Sequence, residues 1–93
     1  MGKKFHLLVV MIDKKTVKKE FLLLVQSIMN IKVDDKMMNL KINKISEWDS
    51  FNNLMLIGEV EKKFSIKYSA NEIESLETVN SVVDSIFNKV KVK

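Results

Sequence analysis

Residues 45–64 read ISEWDSFNNLMLIGEVEKKF. The first half is polar. Asp49 and Ser50 are both able to accept a hydrogen bond from the first N–H groups of a helix that follows them. The second half is apolar at helical spacing. Leu54, Ile57, Val60 and Phe64 recur at intervals of three, three and four, and Leu56 widens the stripe. The pattern predicts a helix over residues 50–63, entered from a loop that delivers Asp-Ser to its start.

On the N-terminal side, Val17, Phe21, Leu24, Val25 and Ile28 predict an amphipathic helix over residues 14–29. Asp13 or Thr16 can cap it, and Thr16 with Glu20 lies one residue off a capping-box spacing. Residues 30–49 interrupt any period with Asn30, Asp34, Asp35, Asn39, Asn43 and Ser46. They read as a long loop pinned to the core by Val33, Met37, Leu40, Ile42 and Ile45. A loop of that length in a small domain usually has a function. On the C-terminal side, residues 65–77 read as a connection with one short helical turn near 71–75. Thr78 then caps a last helix carrying Val79, Val82, Val83, Ile86, Phe87 and Val90. Lys89, Lys91 and Lys93 follow the sign favoured at a helix C-terminus. Three longer helices and a short one, each with one apolar stripe, can bury those stripes only against each other. The expected fold is an all-α, four-helix bundle with a long loop between its first and second helices.

Composition narrows the function. The chain has 93 residues, 46% hydrophobic and 30% charged, which suits one small domain. The longest apolar runs, residues 7–12 and 21–25, fall far short of the ~18–20 residues of a membrane span, so no stable membrane insertion is expected. No cysteine is present, which excludes disulfides, thiolate metal sites and cysteine catalysis. Without proline, and with only Gly2 and Gly58, neither a glycine-rich phosphate loop nor a turn-rich β-sandwich fits.

The net charge is +4, unevenly spread. Residues 1–33 carry seven lysines against Asp13 and Glu20, whereas residues 47–84 carry eight acids against three lysines. That division opposes one continuous nucleic-acid face. A nucleic-acid reading would need Lys3, Lys4, Lys14, Lys15, Lys18 and Lys19 on one side; the plainer reading is a solvated helix face.

Residues 1–12 begin basic and turn apolar, like the first half of a signal peptide. Asp13 and four lysines follow closely, with no small-residue cleavage site. His6 stands where a myristoylation motif starting at Gly2 needs Ser or Thr. This stretch is read as an N-terminal extension, foreign to the native chain or poorly ordered, before a domain at 13–93. A first strand or early helical turn packed on the core is the alternative.

Most enzyme chemistry fails on inventory. His6 is the single imidazole. Asp34 and Asp35 lack the regularly spaced oxygen ligands of a calcium loop and read as loop acids. The methionines at 1, 11, 29, 37, 38 and 55 read mostly as core filler or loop anchors. A small enzyme using Asp34, Asp35 or Glu47 has no pocket chemistry behind it, and no catalytic residue is assigned.

One combination of segments goes further. Asp49-Ser50-Phe51 opens the helix, Leu54, Leu56, Ile57 and Val60 run through it, and Phe64-Ser65-Ile66 closes it. Leu76-Glu77-Thr78-Val79 then opens the last helix. Over about residues 15–89 the chain resembles the acyl carrier protein family, and Glu47-Trp48-Asp49-Ser50 looks like its stand-alone members. Those serve specialised bacterial pathways: lipid, polyketide-like or surface-polysaccharide biosynthesis.

The resemblance implies an acyl-carrier-like bundle in which Ser50 carries a 4′-phosphopantetheine arm taken from coenzyme A by a phosphopantetheinyl transferase. The arm's thiol would hold an acyl or aminoacyl group as a thioester. The partners implied are an acyl or aminoacyl ligase, synthase or transferase, and the carrier itself would be a cytoplasmic monomer without catalytic activity. Asp49 would help the transferase hold Mg²⁺ and the incoming phosphate, or simply cap the helix. Trp48 and Phe51 would either pack the loop or guide the arm. The implied partner surface is the outer face of the second helix: Asp49, Phe51, Asn52, Met55, Glu59 and Lys62, with Glu61 and Lys63 nearby.

Two family positions differ here. Phe51 stands where leucine usually follows the serine, and Ser65 stands where glycine is common. The mixed, more apolar outer face departs from the acidic surface of bulk fatty-acid carriers and favours a dedicated partner. Gly58 inside the second helix costs about 1 kcal/mol of helix propensity, so it is expected to make room for cargo or to admit close helix packing. The alternative to the carrier reading is an unmodified helical protein-binding module in which Ser50 is only a cap.

Overall fold

A cap fixes the start of the first helix. The computed structural model describes residues 13–91, so the expectations for residues 1–12, His6 among them, lie outside the described residues. Asp13 Oδ1 accepts the Thr16 N–H at 2.8 Å, and the bonds from Thr16 hold the Asp13 carboxyl below its ordinary pKa. Asp13, rather than Thr16, is therefore the cap. Helix α1 runs over Lys14–Met29, as the spacing predicts. Val17, Phe21, Val25 and Met29 are its buried ridge, four residues apart, with Leu24 and Ile28 half-buried beside it. Asn30 ends it in the left-handed region, φ 56°, a conformation asparagine tolerates better than most residues.

Residues 30–49 contain more structure than the expected loop. Two 3₁₀ turns, Met37–Asn39 and Ile42–Lys44, fold it into short segments below the length at which a helical period is readable. Asp34 Oδ1 accepts the Met37 N–H at 3.0 Å and starts the first turn. Ile45 is buried as expected, and Val33, Met37 and Ile42 are half-buried. Leu40 departs from expectation: it is 43% exposed, and the neighbouring Met38 takes the place in the core. The loop is tied to the start of the last helix. Ile42 N–H donates to the Glu77 carbonyl at 2.8 Å, and Lys41 pairs with Thr78 in an isolated antiparallel bridge.

Helix α2 covers Ser50–Phe64. It buries Leu56, Ile57, Val60 and Phe64. Leu54 was expected in this stripe and is instead 62% exposed. Leu54 to Ile57 are four consecutive apolar residues, and a helix turning 100° per residue cannot face all of them inward. Ser65 closes α2 in the left-handed region, φ 55°, with Ile66 N–H returning to the Glu61 carbonyl at 3.1 Å. That bond is the long closing bond of a Schellman end, and it explains why the position favours glycine. Gly58 is exposed, and a Cβ placed there meets nothing within 4 Å, so it admits no close helix packing and opens no room in the core.

The short helix α3, Ala70–Glu74, starts on a complete capping box between Ser69 and Glu72. Helix α4 spans Val79–Lys91. Thr78 Oγ1 accepts the Ser81 N–H at 3.0 Å, as expected for its cap. Val79, Val82, Val83, Ile86 and Val90 enter the core, while Phe87 stays half-buried. Tyr68 and Lys89 attach the α3 region to its neighbours. The Tyr68 hydroxyl bonds Ser85, its N–H donates to Glu61 at 2.9 Å, and Lys89 both pairs with Glu72 at 2.7 Å and lies over the Tyr68 ring. The architecture is an all-α bundle of three long helices and one short one, with no strand among the described residues.

Candidate functional site

The site is the entrance to α2. Ser50 is its first residue and is exposed. Asp49 is the N-cap: its Oδ1 accepts the Asn52 N–H at 2.8 Å, and its carbonyl accepts the Asn53 N–H at 2.8 Å. Among the described residues, neither the Ser50 hydroxyl nor the N–H groups of Ser50 and Phe51 have a hydrogen-bond partner. These are the unpaired donors of a helix start, where the helix dipole also favours negative charge.

The loop before the serine is held on three sides. Trp48 is 5% exposed, with its ring 6.2 Å from that of Phe21 on α1. Its indole N–H donates to Asn53 Oδ1 at 2.9 Å, which satisfies a donor that burial would otherwise orphan. Asn52 Nδ2 donates back to the Glu47 carbonyl at 2.9 Å, and Trp48 N–H donates to the Ile45 carbonyl at 2.9 Å. The serine therefore rides on a fixed support. Beside it lies an open depression of about 150 Å³ bounded by Ile42, Asn43, Trp48, Asp49, Ser50 and Asn53.

The residues expected on the outer face do not form one class. Phe51 is 70% exposed and Met55 44%. With the exposed Leu54 they make an apolar row at i, i+3 and i+4, the spacing by which one helix face presents side chains to a groove. Glu59 and Lys62 continue the face and pair with each other at 3.7 Å, so they add no net charge. Asn52 is half-buried and engaged with Glu47, and its role is to hold the loop. Glu61 is committed to Tyr68, and Lys63 pairs with Glu20 of α1 at 2.9 Å. Leu54 and Asn53 were missed at the sequence level. The four-residue apolar run was the available signal for Leu54; nothing in sequence pointed to the Asn53–Trp48 bond.

The other candidates find structural roles. Asp34 caps a 3₁₀ turn and Asp35 pairs with Lys18 at 3.4 Å. Lys14 pairs with Asp84 of α4, so two of the four α1 lysines that a nucleic-acid face would need are engaged with acids. Among the described residues no three His, Cys, Asp or Glu side chains cluster to hold a metal. No described helix is long and apolar enough to cross a membrane. No protein-family model, no curated protein and no solved structure matches this chain.

Proposed function

We propose that this chain is an acyl or aminoacyl carrier whose Ser50 is the attachment point of a 4′-phosphopantetheine arm. One observation carries the reading. An exposed serine hydroxyl without an internal partner stands at the first position of α2, on a loop fixed by Trp48, beside open space. A phosphodiester formed there would displace no side chain from the core. The N–H groups of Ser50 and Phe51 and the positive end of α2 would favour its charge. Asp49 Oδ1 is engaged as the cap, and its second carboxylate oxygen makes no hydrogen bond among the described residues. That oxygen suits a hard cation such as the Mg²⁺ a transferase would bring.

The arm, when attached, supplies the thiol that holds the cargo as a thioester, so a chain without cysteine can serve this role. The protein's own part is to hold the attachment point still and to offer a face to the enzymes that load and unload it. The tether then raises the cargo's local concentration at those enzymes. On this reading the carrier works in the cytoplasm as a monomer, in a specialised bacterial pathway of lipid, polyketide or surface-polysaccharide synthesis. Its partners are the transferase and an acyl or aminoacyl ligase, synthase or transferase.

The exposed row Phe51, Leu54 and Met55 also favours a second reading, an unmodified helical protein-binding module. Intact mass separates the two. Incubation with coenzyme A, Mg²⁺ and a broad-specificity phosphopantetheinyl transferase should add one phosphopantetheine group to the native chain and none to Ser50→Ala. No addition, with a control carrier modified in parallel, favours the binding module.

A further inference from the structure

The outer face of α1 takes no part in the site around Ser50. The inner ridge of this helix packs on α2 and α4. Lys15, Lys19, Leu22, Leu23 and Gln26 fall at i, i+4, i+7, i+8 and i+11 and share the other face. Leu22 is half-buried there, and Leu23 is 53% exposed. The loop after α1 brings Lys32 and Val33 alongside. Lys19, Leu22, Leu23, Gln26, Lys32 and Val33 together bound an open depression of about 210 Å³. Two lysines and three apolar side chains thus line one hollow.

The charge of this face is not neutralised within the fold. Lys15, Lys19, Lys32 and Lys36 are exposed and make no ion pair among the described residues. Of the acids on the same two segments, Asp35 pairs with Lys18 at 3.4 Å and Glu20 with Lys63 at 2.9 Å. Asp13 and Asp34 remain, both engaged as caps. A ligand that satisfies four ammonium groups around an apolar hollow has anionic heads and an apolar body. The lysines extend beyond the hollow, since Lys15 lies one turn before Lys19 and Lys36 four residues after Lys32. A short acidic peptide seated in the hollow would leave those two unused, and nucleic-acid phosphates would leave Leu23 in water. A plane of anionic lipid headgroups meets all four lysines and receives the leucine. The whole chain is polarised in the same sense. Residues 1–33 carry seven lysines against two acids, and residues 47–84 carry eight acids against three lysines, so an anionic plane attracts the α1 side and repels the α2 side.

We propose that the outer face of α1 docks on an anionic lipid surface, with headgroup phosphates between Lys19 and Lys32 and Leu23 reaching the acyl boundary. The contact is peripheral and reversible, because one leucine and four lysines anchor far more weakly than a spanning helix. It uses none of the residues of the carrier reading and stands apart from it. Docked this way, the chain leaves Ser50 and the Phe51, Leu54 and Met55 row, on a different helix, open to a partner.

The full chain is sedimented at low salt with sucrose-loaded vesicles of equal parts phosphatidylglycerol and phosphatidylcholine. It should partition onto them and not onto phosphatidylcholine alone, and added salt should release it. Lys19→Ala with Lys32→Ala should lower the partition coefficient about thirtyfold, the loss expected for two lysines at such a surface. Lys62→Ala with Lys67→Ala, an equal loss of charge at exposed positions elsewhere, should lower it less than about threefold. Leu23→Trp should shift its emission to the blue with the anionic vesicles, above the constant signal of the buried Trp48. No binding to the anionic vesicles, equal losses in the two double variants, or no blue shift overturns the proposal. Retention on immobilised polyglutamate without binding to the vesicles assigns the face to an acidic protein segment and overturns it as well.

Discussion

Trp48 and Phe51 are three residues apart, both aromatic, and flank the same serine. One is 5% exposed and the other 70%. Trp48 spends its surface on Phe21 and its indole N–H on Asn53, and so fixes the loop to α1 and α2 at once. Phe51 is absent from the core and from its packed margin. Core apolar area stabilises a small domain at roughly 25 cal/mol per Å², whereas an exposed ring contributes little. The contrast divides the site into a support that belongs to folding and an exposed apolar face, which the carrier proposal assigns to recognition. It also gives an order to the tests.

The largest effect is expected at the support. Trp48→Ala should cost about 3–5 kcal/mol, because it removes a buried ring and its bond to Asn53. A shift of the urea midpoint at constant slope measures it. A loss below about 1 kcal/mol would mean that the loop is held elsewhere and that the two aromatics are equivalent. Ser65→Gly tests a different strain. Relieving a serine at φ 55° should stabilise the fold by about 1 kcal/mol, read from the same midpoint. Asn30→Gly should gain less, since asparagine bears that conformation better.

The exposed face, if it serves recognition as proposed, should behave in the opposite way. Replacing Phe51 and Leu54 together by Ala should change stability by less than about 1 kcal/mol. The same pair should lower the kcat/KM of Ser50 modification at limiting transferase by about tenfold, the cost of losing a modest interface anchor. Added salt should change that rate little, because Glu59 and Lys62 cancel on this face. A large stability loss with an unchanged rate would reverse the assignment of the two regions.

The smallest effect belongs to pH. Lys89 first, then the Ser69 N–H, hold the exposed Glu72 carboxyl below its ordinary pKa. A carboxylate with a lowered folded pKa adds stability above its unfolded pKa and loses it as pH falls through the folded value. Glu72→Gln should therefore slightly flatten the acid limb of a stability–pH curve and leave the slope of its alkaline limb unchanged; an unchanged acid limb would contradict the role of the Lys89 pair.

The parts of this molecule legible in sequence are those governed by period and cap. Val17, Phe21 and Val25 are legible by period, while Met29, rather than Leu24 or Ile28, completes the buried ridge; Thr78 marks one helix start, and for the other two the structure chooses Asp13 over Thr16 and Asp49 over Ser50. Where several apolar residues compete, the sequence underdetermines the outcome. Leu54 fits the spacing of Ile57, Val60 and Phe64 as well as a core residue would, and only packing against α1 and α4 selects Leu56 in its place. Leu40 and Met38 make the same choice inside a loop that has no period. Ser50 stands out by its place at the start of a helix and by the family resemblance of the segments around it, whereas the opposite orientations of Trp48 and Phe51 depend on Phe21 and Asn53, contacts that close only in three dimensions.

The central claim is that Ser50 is a point of attachment and more than a helix start. Intact mass after incubation with coenzyme A, Mg²⁺ and a phosphopantetheinyl transferase tests it most directly. The account predicts a gain of one phosphopantetheine group on the native chain and none on a folded Ser50→Ala variant. A native chain that stays unmodified while a control carrier is converted would contradict it.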